Sequence, residues 1–485
     1  MDGDEDAMGG DTAIRDAFTP LEDTRSLDPL LERVGGARFV LLGESSHGTS
    51  EFYRWRAAIT ARLVREKGFS LIAVEGDWPD CLDVHRHLTD DPRTPEDPAD
   101  ALAGFARWPR WMWANREVAD LLAVLRGHNA GRPPADRVGF FGLDVYSLWE
   151  SLRAILDYLR AHHPDQVDAA LEAYRCFEPY TGDERAYARS TALVPPGCAE
   201  EVASLLAGTK RRAAADDTGA GISGGGGLTR LAAVQNAEVV ANAEGYYRAM
   251  VGGGPQAWNI RDRHMAATLD RLIEHGGPGA KVVVWAHNTH IGDARATDMA
   301  AAGMVNLGQL VRERHAADGV VAVGFGTHSG TVVAGRRWGG DPEVMEVPPA
   351  RAGSLEDRLH RALPSGASLA VFPEKAVGES RGEVAGDAAA EGRGDAAGQG
   401  AGKAAGAAPG EAAAWGSGWL GETLDHRAIG VVYHPEREAR GNYVPTVAGQ
   451  RYDAFVHVDR TTALHPLHGT EPPAPREPET YPSGV

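Results

Sequence analysis

Short apolar runs, each broken by a polar or glycine-rich turn, set the rhythm of this chain. Ala37–Leu42, Ser70–Val74, Arg137–Leu143, Lys281–Trp285 and Val320–Phe325 each carry a short apolar core bounded by turn residues, the pattern of strands buried on both faces. Ala428–Tyr433 and Tyr452–Val458 add two later runs of the same kind. Between the first two, Phe52, Trp55, Ile59 and Leu63 recur at helical spacing, with Thr49 placed to cap, Glu51 in the first turn and Gly68 at the end. Strand, helix and strand in that order predict a parallel pair joined by a right-handed crossover. Residues 101–129 read as helical, helices dominate from Ser147 to about Leu206, and they resume at about 228–252 and 256–275. The glycine-rich stretch Ala214–Gly227 reads as a flexible loop. The expected fold is α/β, a mostly parallel sheet core with a large helical portion forming a cleft at the carboxyl ends of the strands.

Composition then divides the chain. Residues 1–12 are polar and read as a disordered N-terminus. Residues 13–374 form the α/β unit, with a helical insertion at about 147–275. Residues 375–415 are rich in Ala, Gly and Glu and read as a low-complexity disordered insertion. Residues 416–468 return to strand-like patterning as part of the same domain, and 469–485 read as a loose tail. No internal repeat of fixed period is visible.

Charge and cysteine content narrow the function classes. The 68 acidic residues outnumber 49 basic ones, giving a net charge of −19, which disfavours a phosphate backbone as partner. Nucleic acid is therefore not expected, and no apolar run approaches the roughly 18 residues that span a bilayer, so no membrane partner is expected either. Cys81, Cys176 and Cys198 are few and far apart, which suggests neither a disulfide framework nor a cysteine zinc site. With an acidic N-terminus unlike a signal peptide, a reducing cytoplasm is the expected location. No obligate protein partner is inferred.

Candidate chemistry lies where the strand-like runs stop. Gly43-Glu44-Ser45-Ser46-His47-Gly48 follows one run and Trp285-Ala286-His287-Asn288-Thr289-His290 ends another. Glu75 and Asp144 end two more, and His328 follows a fifth. A neutral imidazole is the natural base for deprotonating water, a carboxylate beside it fixes its tautomer, and further His side chains can donate to a developing oxyanion. That set fits hydrolysis of an ester or similar acyl bond without a covalent intermediate. The same letters allow a metal-dependent hydrolase built on Glu44, His47, Glu75, His287 and His290, or a non-catalytic small-molecule binder. Ser45 and Ser46 read as turn or cap hydroxyls rather than nucleophiles, because His47 stands where a Gly-x-Ser-x-Gly elbow needs its last glycine. His85 and His87 read as solvated helix residues.

These segments resemble the erythromycin esterase family, which includes macrolide esterases and proteins described as acting in succinoglycan biosynthesis. The likeness rests on Leu42–Thr49, Gly68–Glu75, Trp111-Met112-Trp113 with Asn115, Arg261–Met265, Trp285–His290 and Tyr452–Asp459, spread over about 25 to 468. It implies an α/β core with a helical cleft wall and a lactone or ester as small-molecule substrate. It further implies His47 as general base, Glu44 as its acidic partner, and Glu75, His287 and His290 as further functional positions. No cofactor and no metal are implied. Asp144, Trp113 and Arg54 are the substrate-binding candidates. The 375–415 insertion departs from the family pattern.

Overall fold

The computed structural model describes residues 11–180, 184–191, 197–215, 225–373 and 418–467. The expectations for residues 375–415 and 469–485, and most of those for 1–12 and for the 214–227 loop, lie outside these residues; Gly225–Gly227 begin a helix.

The strands are β1 (Phe18–Pro20), β2 (Phe39–Leu42), β3 (Leu71–Asp77), β4 (Gly139–Asp144), β5 (Val282–Trp285), β6 (Val320–Gly335), β7 (Pro342–Val347), β8 (Ala367–Val371), β9 (Thr423–Arg427), β10 (Tyr443–Val447) and β11 (Ala454–Thr461). Nine of them form one sheet in the order β1-β8-β11-β6-β2-β5-β3-β4, with β7 paired to β6. The run from β11 to β4 is parallel; β8 and then β1 extend it antiparallel beyond β11, and β7 pairs antiparallel with the far end of β6. In register, Leu42 sits beside Trp285 on one side and Val323 on the other, so β2, β5 and β6 end near one level. All four β2 side chains are fully buried. They alternate between two cores: Val40 and Leu42 pack into one layer, Phe39 and Leu41 into the other. This two-sided burial is why the strand is a continuous apolar run rather than an alternating one.

The helices that matter for the cleft are α1 (Ser50–Lys67), α2 (Trp78–Leu88), α3 (Arg116–Asn129), α4 (Leu148–His162), α5 (Val167–Phe177), α6 (Ala199–Ala215), α7 (Gly225–Gly252), α8 (Gln256–Gly276), α9 (Asn288–Ile291) and α10 (Leu355–Ala362). Phe52, Ile59 and Leu63 of α1 are fully buried, and Gly68 ends it with φ +71°, a conformation open to glycine at low cost. α4 to α7 build a separate core around Tyr146, Leu152, Phe177 and Tyr246, the helical portion beside the sheet.

Four expectations are corrected. Residues 101–115 do not continue the helix of α3: Gly104 and Pro109 interrupt it, and Asn115 starts α3 afresh by accepting the Val118 N–H at 2.8 Å. Ala428–Tyr433 is not a strand. Ala428, Ile429, Val431 and Tyr433 are buried, but its ladder ties are single bridges from Ile429 to Ser46 and Val432 to Gly335. β6 runs ten residues beyond Phe325, so His328 lies within a strand rather than after one. Cys176 on α5 and Cys198 just before α6 form a disulfide, with Cα atoms 5.8 Å apart, leaving Cys81 buried and free. Their separation along the chain hid their adjacency in the helical portion. Disulfides persist mainly in oxidising compartments, so the cysteines no longer support a reducing location. Among the described residues no helix is long and apolar enough to cross a membrane.

Candidate active site

Glu44 leaves the end of β2 fully buried, and its two oxygens are both engaged. Oε1 lies 3.0 Å from Nδ1 of His47 and Oε2 accepts from Nη2 of Arg56 at 2.6 Å. Arg56 is itself fully buried, its guanidinium 4.4 Å from the Tyr53 ring and 4.6 Å from the Trp285 ring. A carboxylate held by an arginine can only accept, so Nδ1 of His47 carries a proton, which in the neutral ring puts the lone pair on Nε2. The ring lies at the cleft wall, 4.9 Å between centroids from His287.

A second cluster joins the ends of β3 and β4 to α8. Arg261 donates through Nε and Nη2 to Asp144 at 3.0 and 2.7 Å, and through Nη2 to Glu75 at 2.6 Å. His290 lies between two carboxylates, with Nδ1 2.9 Å from Asp262 and Nε2 3.3 Å from Glu75. Its ring stacks on Trp258 at 4.5 Å with planes 5° apart. Burial alone would favour the neutral imidazole, but Asp262 and Glu75 push its pKa up to about 9. Against burial, the charges of His290 and Arg261 hold Glu75 well below the usual carboxylate range; against burial, Arg261 likewise lowers Asp144.

His287 has the opposite environment. Its backbone N–H donates to Glu75 Oε2 at 2.8 Å, and its Nδ1 accepts from the Thr289 N–H at 3.2 Å. Among the described residues no carboxylate is hydrogen-bonded to its ring, and burial drives its pKa well below the ordinary histidine value. The ring is therefore neutral with its proton on Nε2, an atom that is buried without a hydrogen-bond partner.

The cleft in front of these groups encloses about 600 Å³ of empty space, mouth included. His47, Glu75, Asp144 and Arg261 line its chemical side, and Phe105, Trp113, Tyr146 and Trp338 its aromatic side. Asp77 binds Arg107 through two hydrogen bonds of 2.6 and 3.0 Å. Neighbouring Asp80 is pushed up to about 8 by burial and then by the Asp77 charge. Among the described residues no three His, Cys, Asp or Glu side chains are grouped to hold a metal ion.

The structure thus brings Glu44, His47, Glu75, His287, His290, Asp144 and Trp113 together; the Trp113 Nε1–H donates to the Glu75 carbonyl at 3.1 Å. Arg54 is not among them: it is exposed on α1, while Arg56, two residues on, faces inward. His328 stacks on His360 at 3.7 Å, away from the cleft lining. His87 is buried rather than solvated, with Nδ1 2.9 Å from the Pro95 carbonyl, and burial lowers His85 to about 4. Sequence reasoning missed Arg56, Arg261 and Asp262 as site residues. Arg56 had a signal, since it falls on the apolar stripe of Phe52, Ile59 and Leu63. Arg261 and Asp262 sit mid-helix on α8, where no strand end draws attention to them.

Parallel strand ends that gather carboxylates and histidines beside an aromatic-walled cleft define a class: α/β proteins with a concave site at the carboxyl edge of a mostly parallel sheet. The particular lineage follows from comparison. The sequence matches the erythromycin esterase family over residues 64–461, and the chain belongs to that family. That span holds Glu75, Asp144, Arg261, Asp262, His287 and His290, and begins after Glu44 and His47. Three solved structures share the fold. A succinoglycan biosynthesis protein is 20% identical, with a TM-score of 0.68 over 94% of this chain and 98% of that one. A Bacillus cereus protein is 19% identical, with a TM-score of 0.70 over 95% and 99%. A mutant of the erythromycin esterase EreC in its open conformation is 15% identical, with a TM-score of 0.60 over 90% and 94%.

Proposed function

We propose that this protein hydrolyses a carboxylic ester or lactone, with His47 activating the attacking water. The observation that carries this reading is the buried Arg56–Glu44–His47 chain, which sets a proton on Nδ1 of a ring at the cleft wall and so, in the neutral ring, the lone pair on Nε2. In this scheme the water oxygen bonds to the acyl carbon while Nε2 takes its proton. The carbonyl electrons move onto oxygen, and the unpartnered Nε2–H of His287, beside His47, is the donor suited to that oxyanion. Collapse expels the alkoxide, which takes the proton back from His47, giving acid and alcohol with no covalent enzyme intermediate. Family membership supports ester hydrolysis as the class of reaction. The aromatic wall of Phe105, Trp113, Tyr146 and Trp338 suits an apolar acyl or lactone skeleton, and a macrolide lactone is the first candidate to try.

The test is mass spectrometry of erythromycin, simple lactones and aryl esters after incubation with wild type, His47→Ala and Glu44→Gln. Addition of one water by wild type is expected, with turnover lowered by about 10²- to 10⁴-fold in His47→Ala. Glu44→Gln should also lose turnover, because an amide cannot accept from Arg56 and His47 together without turning its NH₂ toward one of them. Wild-type turnover by folded His47→Ala would overturn the reading.

A further inference from the structure

The turn that carries His287 and His290 is fixed from behind by residues the hydrolytic scheme leaves unused. Asn288 is fully buried, and its backbone N–H donates to the Glu44 carbonyl at 2.8 Å. Its side chain meets the β6 backbone twice, Nδ2 donating to the Phe325 carbonyl at 2.6 Å and Oδ1 accepting the Phe325 N–H at 3.3 Å. Nδ2 also lies 3.0 Å from Nε2 of His426 on β9. The other nitrogen of that ring, Nδ1, lies 2.5 Å from Glu356 Oε1 on α10, and the same oxygen accepts the Arg427 N–H at 3.1 Å. The strand-end turn of β2 closes on the same amide. A Cβ at Gly43 would stand 2.0 Å from Asn288 Oδ1, so only glycine lets the two turns meet.

Each link dictates the next. Glu356 accepts, so His426 carries its proton on Nδ1 and offers a lone pair at Nε2. Asn288 must then present its NH₂ to His426, which leaves its oxygen for the Phe325 N–H. The reversed amide would set oxygen against the Phe325 carbonyl and NH₂ against the Phe325 N–H. Arg451 reinforces the turn by donating to the Asn288 carbonyl at 3.0 Å.

We propose that Glu356, His426 and Asn288 form a positioning relay that sets the spacing of the His47 and His287 rings, an inference that rests on the hydrolytic reading above. It assigns α10 and β9, which lie outside the cleft lining, a role in turnover. Because Asn288 bonds to Glu44 on one side and adjoins His287 on the other, a shift at His426 changes the relation of base to oxyanion donor. Misplacement by about 1 Å can cost about 10²-fold in rate.

The experiment compares kcat, KM and melting temperature of full-length wild type, His426→Leu, His426→Gln and Asn288→Asp on whichever panel ester wild type hydrolyses. His426→Leu removes the acceptor for Asn288, whereas glutamine can return an oxygen near the former Nε2. Expected are a kcat loss of about 10- to 10²-fold for His426→Leu with KM within about twofold, and recovery of most of that loss by His426→Gln. Asn288→Asp keeps the shape and removes the donor, and covers the case in which His426→Leu does not fold. It should lose kcat similarly, and the buried carboxylate facing the Phe325 carbonyl should lower its melting temperature, so kcat is read below that transition. Full kcat in folded His426→Leu or in Asn288→Asp overturns the relay. So does equal loss in the leucine and glutamine variants that tracks their melting temperatures, which marks a merely structural role. No hydrolysis by wild type, or full activity in His47→Ala, overturns the esterase reading instead. Loss in His47→Ala with full kcat in the relay variants overturns the relay alone.

Discussion

His290 ties stability to pH, and its contribution can be worked from its surroundings. Asp262 and Glu75 raise its pKa from 6.5 to about 9 in the fully buried folded state. In the unfolded chain it returns to the ordinary value of about 6.5. A raised folded pKa means that folding favours the protonated ring, so the stabilisation is fully present below pH 6.5 and is lost as pH rises through 9. At about 1.4 kcal/mol per pKa unit the whole effect is about 3.5 kcal/mol, of which roughly 2 remains at pH 7.5 and almost none at pH 10. The assay is urea unfolding of wild type and His290→Gln from pH 6 to pH 10, beside an NMR titration of the His290 ring. Tyrosines and lysines titrate in both proteins, so the difference between the two curves isolates His290. That difference should shrink by about 3 kcal/mol across the range. Parallel curves, or an NMR midpoint at or below the ordinary histidine value, would refute the claim that two carboxylates hold this ring as a cation.

Two further outcomes probe the other side of the cleft. Arg56→Met leaves the Glu44 carboxylate buried with His47 as its remaining side-chain partner, and should destabilise by about 3–5 kcal/mol in urea unfolding. Adding Glu44→Gln should restore most of that stability but not activity, and a double variant as unstable as the single one would contradict the pairing. Trp338, half-buried between Trp108 and Tyr146 at the cleft wall, should act on binding. Trp338→Ala is expected to raise KM for bulky esters with kcat within about twofold, and a kcat loss at unchanged KM would place the ring in catalysis instead.

What the sequence disclosed and what it hid follow from the range of the interactions involved. β2 and β5 were legible because a parallel strand covered on both faces must be apolar throughout, and because the residues after it are polar for a reason. Glu44, His47, Glu75, His287 and His290 could be chosen for that same reason. Arg54, the arginine of α1 named from the sequence, is exposed, whereas Arg56 lies on the buried stripe of the same helix, where an arginine needs a partner to explain it. Arg261 and Asp262 lie in a segment that carries the family resemblance, but neither they nor Glu356 show a role in hydrophobic pattern or strand-end position. They come from helices whose polar faces look like any solvated face until the tertiary structure closes over them. The same holds for Ala428–Tyr433, apolar because it is buried across the end of β2 and not because it pairs in a ladder.

Three histidines of one site illustrate how much of the chemistry lies in placement rather than composition. His47 has a carboxylate at Nδ1, and His290 has one at each ring nitrogen. One carboxylate fixes a tautomer; two make a cation. His287 has neither and is held neutral by burial, with its Nε2–H unpaired. Base, cation and donor therefore differ by the position of Glu44, Glu75 and Asp262, not by the residue itself. The consequence is an asymmetry among substitutions that residue type alone would not suggest. Replacing His290 should show first in stability at neutral pH, because its charge is balanced inside the protein. Replacing His47 should show first in turnover, because the atom it offers faces the cleft. Equal and purely kinetic losses from both would mean that the carboxylates do not sort them.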